Sequence, residues 1–254
     1  MTNFPVIHDL PPFITSKQMR EVDRLAVEDY HIDLIQMMEN AGRNLARLAI
    51  NRFLTKGTKN VVALAGAGGN GGGALVAARH LHNWGSSVQI FLSRPYESYQ
   101  GITGHQLNIL HEMQINTWFP TELPEKLDID LIIDGLIGYS LHGAPSGMAA
   151  NLIQWANGQQ TPILSLDVPS GMDATTGKAV KPVIQADATM TLALPKTGFL
   201  ALTNQSVVGE LFLADIGIPP ELYSSPSLDL NVANIFTESE ILRLVVPRRL
   251  PERV

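Results

Sequence analysis

The chain has 254 residues, of which 45% are hydrophobic and 17% charged, and its formal net charge is −6. This composition predicts a domain with a sizeable core, and the acidic balance argues against a nucleic-acid partner, which would need a basic stripe. The absence of cysteine excludes disulfides, thiolate nucleophiles and zinc–thiolate sites. With no signal-peptide pattern and no apolar run of ~18 residues, we expect a soluble, cytoplasmic protein that does not bind membranes.

The N-terminal part is predicted to be irregular at first and then helical. Residues 1–13 hold three prolines and are expected to form an irregular lead-in. After Ser16 as N-cap, an amphipathic helix over residues 17–30 is predicted from apolar side chains at helical spacing: Met19, Val22, Ala26 and Tyr30. A second helix from Leu34 to Phe53 is predicted to bury one face, formed by Met38, Ala41, Leu45 and Leu48.

From residue 60 onward, the pattern alternates between apolar strands and helices. The predicted strands are 61–65, 88–92, 131–134, 163–167, 188–194 and 211–214. The predicted helices are 75–84, 104–113, 148–156 and a last short one around 238–244. Such alternation indicates an α/β fold with a parallel sheet and right-handed crossovers. Because no repeat or low-complexity linker interrupts it, residues 1–254 are expected to form a single domain.

The glycine-rich segment Gly66–Gly73 is the first candidate site, because it lies between a predicted strand and a predicted helix. Glycines at such a turn let backbone N–H groups approach an anion, although a merely flexible turn is the alternative. The segment also fits the G-x-G-x-x-G pattern of dinucleotide-binding folds. The next strand is followed by Ser93 and Arg94 rather than by an acid for the ribose, so an NAD(P)-linked oxidoreductase is possible but not favoured.

Two aspartates, Asp134 and Asp167, end predicted strands of the sheet. Ligands of parallel sheets bind outside the carboxyl ends of the strands, so both acids and the glycine segment are expected at one edge. Each aspartate alone could be a helix cap or turn former, but their joint placement favours function. Together, the side-chain oxygens of Asn70, Asp134 and Ser170 suit a monovalent cation better than zinc or copper.

Three further features have an ordinary structural explanation. His142 follows the Asp134 strand and is more simply a solvated loop histidine than a residue of the crevice. Lys196 either approaches a phosphate or is a surface lysine after a proline. The basic residues near the C-terminus, Arg248, Arg249 and Arg253, indicate a frayed tail.

The order of these motifs resembles that of the NAD(P)H-hydrate epimerase family, also called the YjeF N-terminal domain. The resemblance spans about residues 15–219 and is carried by Met37–Gly42, Gly66–Ala74, Val76–Leu81, Asp134 with Gly138, Asp167–Gly171, Pro195–Gly198 and Asp215–Pro219. It implies a Rossmann-like three-layer α/β/α sandwich, usually a homodimer. The implied activity interconverts the R and S forms of hydrated NADH and NADPH, which repairs damaged nicotinamide nucleotides.

The resemblance also implies the site. A potassium ion would be held by Asn70, Asp134 and Ser170. The implied substrate-binding residues are Gly69, Asn70, Gly71, Gly72, Gly73, Gly138, Tyr139, Ser140, Leu141, His142, Gly143, Ala144 and Asp167. Asp167 is the predicted catalytic residue, because epimerising a hydroxyl beside a ring nitrogen needs hydroxide loss or ring opening, and an acid/base assists either. The dehydratase that completes the repair is expected to be a separate protein.

The glycine segment departs from the family's usual G-x-G-N-N-G-G-D-G. Gly69 replaces the first Asn, Gly73 replaces the Asp, and Ala74 replaces the last Gly. Loss of the Asp would remove a ribose or hydroxyl contact worth roughly 0.5–1.5 kcal/mol, or more if charged. A second hypothesis is therefore a diverged module of the same fold that binds a nucleotide or a protein without turnover.

Overall fold

The computed structural model describes residues 4–55, 57, 59–201 and 205–246, and a nine-stranded sheet forms the centre of this described part. The strands are β1 (Val6–Ile7), β2 (Asn60–Ala65), β3 (Ser87–Leu92), β4 (Asn116–Trp118), β5 (Leu131–Gly135), β6 (Ile163–Leu166), β7 (Ala188–Leu192), β8 (Glu210–Ala214) and β9 (Ile241–Leu244). Their order is β1-β9-β8-β7-β6-β5-β2-β3-β4. Strands β2 to β8 run parallel, and β9 is antiparallel to β8.

The helices of the described chain cover both faces of this sheet. They are α1 (Ser16–Glu28), α2 (Leu34–Arg52), α3 (Gly69–Asn83), α4 (Gly101–Glu112), α5 (Gly147–Gly158), α6 (Gln205–Val208) and α7 (Pro220–Tyr223), with short 3-10 turns at Tyr96–Ser98 and Thr197–Leu200. Helices α2, α3 and α4 pack on one face and α5 on the other, which gives three layers. Within the described ranges, no helix has the length and apolarity needed to cross a membrane.

The central strand β2 shows why the sheet forms where the sequence predicts it. Val61, Ala63 and Ala65 pack with α2 to α4, whereas Val62 and Leu64 pack with α5. A strand that is apolar throughout, as β2 is from Val61 to Ala65, is stable only when both faces are covered, as in a parallel α/β sheet. The predicted Rossmann-like three-layer fold is therefore confirmed.

Several details differ from the sequence-based prediction. Residues Ile241–Leu244, expected to lie in a helix, form β9 because this short segment pairs with both β1 and β8. The predicted irregular lead-in, residues 1–13, also contains a strand. Its residues Val6–Ile7 form β1, which pairs with β9 at the edge of the sheet. Helix α1 ends at Glu28, which leaves Tyr30 beyond the helix with 41% exposure rather than on its buried face. The arginines predicted to form a frayed tail lie outside the described residues.

Candidate active site

A cavity of about 440 Å³ lies at the carboxyl ends of β5 and β6, where the first turn of α3 meets α1 and α2. Apolar side chains such as Met37, Met38 and Leu136 form much of its wall. Its polar lining consists of Asp23, Asn70, Tyr139, Ser140 and Asp167. The place agrees with the general rule that ligands of open parallel sheets bind outside the carboxyl ends of the strands.

The glycine segment is not an extended loop, because α3 begins at Gly69 rather than at Leu75 as predicted. Close backbone packing explains part of its composition. A Cβ on Gly66 would lie 2.0 Å from the carbonyl oxygen of Leu136, and one on Gly71 would lie 1.7 Å from the carbonyl oxygen of Gly66. Gly69, by contrast, has open space around it and lines the cavity at the N-terminus of α3, where the first N–H groups of a helix lack intrahelical partners.

The predicted substrate-binding glycines of α3 therefore separate into two groups. Gly69 and Gly73 line the cavity together with Asn70, whereas Gly71 and Gly72 face protein atoms. A Cβ on Gly73 would lie 2.6 Å from Leu166 Cδ2, so Leu166 occupies the space that a larger residue at position 73 would need.

Only the first part of the predicted substrate-binding loop after β5 lines the cavity. Gly138, Tyr139 and Ser140 line the cavity. The next four predicted residues, Leu141, His142, Gly143 and Ala144, lie beyond its wall, and all but Leu141 are exposed. His142 thus has the solvated position that the sequence favours.

Asp167 follows β6 directly and lines the cavity, although only 2% of the residue is exposed. Its backbone has φ +65°, in the left-handed region that aspartate adopts more readily than most residues. Its Oδ2 accepts a hydrogen bond of 3.2 Å from the backbone N–H of Tyr139, and its Oδ1 lies 2.6 Å from Lys196 Nζ. These contacts fix the carboxylate at the cavity wall.

Lys196 is a buried partner of Asp167, not a surface lysine. It is 0% exposed, and its ammonium group also donates hydrogen bonds of 2.8 and 3.2 Å to the carbonyl oxygens of Leu192 and Leu194. A buried charge is stable when it is paired and hydrogen-bonded in this way. The sequence carries a signal for this burial, since Lys196 ends an apolar stretch that continues directly from β7.

Two of the three predicted cation ligands, Asp134 and Ser170, lie in contact beside the cavity, and Asn70 lines the cavity itself. Asp134 is fully buried, and no Lys, Arg or His among the described residues lies within salt-bridge distance of it. Its carboxylate accepts hydrogen bonds from Ser170 Oγ (2.5 Å), Ser165 Oγ (2.8 Å) and the backbone N–H of Ser170 (2.9 Å). Burial raises the pKa of this carboxyl, and the hydrogen bonds only partly oppose that effect.

Asn70 adds an amide oxygen to this region. Its Nδ2 donates to the carbonyl oxygen of Leu166 (3.1 Å), and its Oδ1 lies 3.1 Å from where a Cβ of Gly138 would stand. One buried carboxylate without a cationic partner, an amide oxygen and a hydroxyl form a donor set that fits a monovalent hard cation.

Asp23 of α1 is a lining residue that the sequence interpretation missed. The hydroxyl of Tyr139 donates a 2.5 Å hydrogen bond to Asp23 Oδ2. Burial raises the pKa of Asp23, although the hydrogen bond from Tyr139 lowers it in part. The sequence pattern does indicate that Asp23 points inward. It lies four residues after Met19 and next to Val22, two residues of the buried face of α1.

The parallel sheet, with a cavity at the carboxyl ends of its central strands, has the architecture of a Rossmann-like domain. A family model described as the YjeF-related protein N-terminus matches residues 34–198, and the chain belongs to this family.

Named relatives agree with this assignment. The chain is 44% identical over 232 residues to the NAD(P)H-hydrate epimerase of Dehalogenimonas lykanthroporepellens, covering 91% of this chain and 92% of the relative. It is 35% identical to the NAD(P)H-hydrate epimerase of Rhodopirellula baltica, covering 86% and 88%. It is also 35% identical to the bifunctional NAD(P)H-hydrate repair enzyme Nnr of Moorella thermoacetica, covering 84% of this chain but only 42% of that longer protein.

A solved structure supports the fold alone. The crystal structure of yeast ynu0 superposes with a TM-score of 0.78 at 24% identity, covering 92% of this chain and 100% of that one.

Proposed function

We propose that this protein interconverts the R and S forms of hydrated NADH and NADPH. The observation that carries the proposal is the Asp167 carboxylate, which is held at the cavity wall by Lys196 and Tyr139. It stands in a chain that is 44% identical to a protein named NAD(P)H-hydrate epimerase. The cavity of about 440 Å³ is within the range of small-molecule sites.

The reaction needs proton transfer to and from a hydroxyl oxygen. This hydroxyl is carried by the ring carbon next to a ring nitrogen. When a proton reaches the hydroxyl, the C–O bond breaks, water leaves, and the nitrogen lone pair forms a C=N bond. Water then adds to the other face and gives up a proton, so no oxidant or reductant is consumed. Asp167 is suited to transfer such protons, a contribution of roughly 10²–10⁴-fold for a positioned acid/base.

The surrounding residues orient the carboxylate and the nucleotide. Lys196 and the backbone N–H of Tyr139 each hold one carboxylate oxygen of Asp167, so both are positioning residues. The exposed N-terminus of α3 at Gly69 suits the pyrophosphate of a dinucleotide, because the first N–H groups of a helix lack intrahelical partners. The apolar wall around Met37 and Leu136 would pack against the reacting ring.

Potassium is the cation that we propose for Asn70, Asp134 and Ser170. When bound, it would supply positive charge beside the buried carboxylate of Asp134. These residues hold together the start of α3 and the segments that follow β5 and β6, so an ion there would stabilise the cavity wall.

The cellular setting is also part of the proposal. We place the protein in the cytoplasm as a homodimer that works with a separate NAD(P)H-hydrate dehydratase. The longer Moorella relative, whose name describes a bifunctional repair enzyme, supports a second repair activity beside this one.

The test is epimerisation of purified R and S hydrated NADH, followed by chromatography against the spontaneous rate. We expect acceleration by the wild-type protein and a loss of about 10²-fold or more in kcat for Asp167→Asn. Asp229→Asn is the matched control, because Asp229 has a similar φ of +51° but is exposed and outside the cavity. A wild-type rate equal to the spontaneous one would overturn the proposal and favour a binding module without turnover.

A further inference from the structure

Tyr139 connects two carboxylates at the cavity. Its backbone N–H donates to Asp167 Oδ2 at 3.2 Å, and its hydroxyl donates to Asp23 Oδ2 at 2.5 Å. All three residues line the cavity, so the two carboxylates lie at opposite ends of one tyrosine. Asp23 comes from α1 and Asp167 from the end of β6, so two different walls each supply one acid.

The two carboxylates have different environments. Asp167 is paired with the Lys196 ammonium at 2.6 Å. Asp23 has no cation within salt-bridge distance among the residues that the structure describes, and its hydrogen-bond partner is the Tyr139 hydroxyl. Burial raises the pKa of Asp23, which favours a proton on this group. Two carboxyls in such contrasting environments are suited to acid and base roles in one site.

Epimerisation can use two carboxyl groups, one for each face of the ring. The R and S hydrates carry their hydroxyls on opposite faces of the same ring, so water leaves from one face and returns to the other. A carboxyl fixed in one wall reaches only one face well, because proton transfer needs hydrogen-bond distance. Carboxyls in two walls can serve both faces.

We propose that Asp23 is a second catalytic residue, acting on the ring face opposite to Asp167; this inference rests on the proposed function. In one direction, Asp23 protonates the departing hydroxyl, the C–O bond breaks, and the nitrogen lone pair forms the C=N bond. Water adds to the other face, and Asp167 takes its proton. The reverse reaction exchanges the two roles, and proton exchange with solvent resets the pair.

The experiment compares Asp23→Asn with wild type in both directions of epimerisation. We expect kcat to fall about 10²-fold while KM changes less than about threefold, with partial recovery in Asp23→Glu. Glu28→Gln is the control on the same helix, because the Glu28 side chain is 61% exposed, and it should keep wild-type kinetics. Tyr139→Phe removes the contact to Asp23 but keeps the backbone contact to Asp167, so kcat should fall about tenfold.

The outcomes separate this inference from the proposed function. A wild-type protein well above the spontaneous rate, with Asp23→Asn within about threefold of its kcat, would overturn the role of Asp23 and leave the epimerase proposal intact. A wild-type rate equal to the spontaneous rate would overturn both. Thermal unfolding verifies that each variant is folded; if Asp23→Asn does not fold, unchanged kcat in Tyr139→Phe would overturn the inference.

Discussion

Lys196 Nζ lies 2.6 Å from Asp167 Oδ1, and the two side chains are only 0% and 3% exposed. Bulk water does not hydrate either charge, so each charge is stabilised by the other and by the hydrogen bonds around it. The pair therefore links the stability of the domain to the orientation of the proposed catalytic carboxylate.

Removing one member of this pair should be costly. For Lys196→Met, we expect the free energy of unfolding to fall by about 3–5 kcal/mol, because the variant leaves the buried carboxylate of Asp167 unpaired. Urea denaturation measures the change. The double variant Lys196→Met, Asp167→Asn should be more stable than Lys196→Met alone, and equal or lower stability of the double variant would show that the pair is not coupled.

The oxygen set beside the cavity should respond to potassium without any substrate present. Saturating potassium, at 100 times its Kd, should stabilise the wild type by about 2.7 kcal/mol and raise Tm by roughly 5–10 °C relative to choline at equal ionic strength. Asn70→Ala should abolish most of this shift, since it removes a ligand without disturbing the hydrogen-bonded Asp134. Asn83→Ala, at the exposed end of the same helix, should retain it. Equal Tm values in potassium and choline would contradict the site.

Two glycines of the same helix turn should tolerate substitution very differently. Gly71→Ala should destabilise the domain by about 3 kcal/mol or more, because its Cβ would lie 1.7 Å from the carbonyl oxygen of Gly66. Gly69→Ala should be neutral or stabilise by up to about 1 kcal/mol, since its Cβ meets open space in a helix. Thermal or urea unfolding of both variants tests this contrast, and similar stabilities would show that the close packing is not required.

Glu39 of α2 should make stability depend on pH. Burial would raise its pKa, but contacts to Arg79 (2.5 Å) and His80 (2.7 Å) outweigh burial and lower it below the ordinary 4.5. The folded state therefore binds this proton less readily than the unfolded state, so the stabilisation exists above the ordinary pKa and is lost as pH falls below it.

For Glu39→Gln, we expect a loss of about 0.5–1 kcal/mol at pH 7, kept small because the Glu39 side chain is 38% exposed and water screens the pair. The difference from wild type should shrink as pH falls from about 5 towards 3. Urea unfolding at several pH values measures it, with exposed Glu112→Gln as the control. A difference that does not change with pH would exclude an ionic origin.

Much of the sheet was predictable because its central strands are largely apolar on both faces. In β5, Leu131, Ile132 and Ile133 leave few alternatives to a strand buried on both faces, and Asp134 marks its carboxyl end. The common direction of parallel strands then explains why Asn70, Asp134, Ser170 and Asp167 lie at the same edge of the sheet.

The parts that were missed depend on tertiary contacts. Ile241–Leu244 is too short to define its own conformation, and its pairing with β1 and β8 makes it a strand. The early start of α3 depends on backbone contacts of Gly66 and Gly71 that no local pattern reveals. Lys196 and Asp23 are charged residues whose burial depends on partners distant in sequence, Asp167 and Tyr139.

The left-handed backbone of Asp167, at φ +65°, decides which substitution removes its carboxylate without moving the main chain. Asparagine adopts this conformation as easily as aspartate, whereas a residue with a branched β-carbon would be strained there. The amide substitution therefore removes the negative charge while it keeps both the shape of the side chain and the path of the main chain. A kinetic defect in that variant, once it is shown to be folded, would report the lost carboxylate and its pair with Lys196 rather than a rearranged turn. A valine substitution would mix these effects.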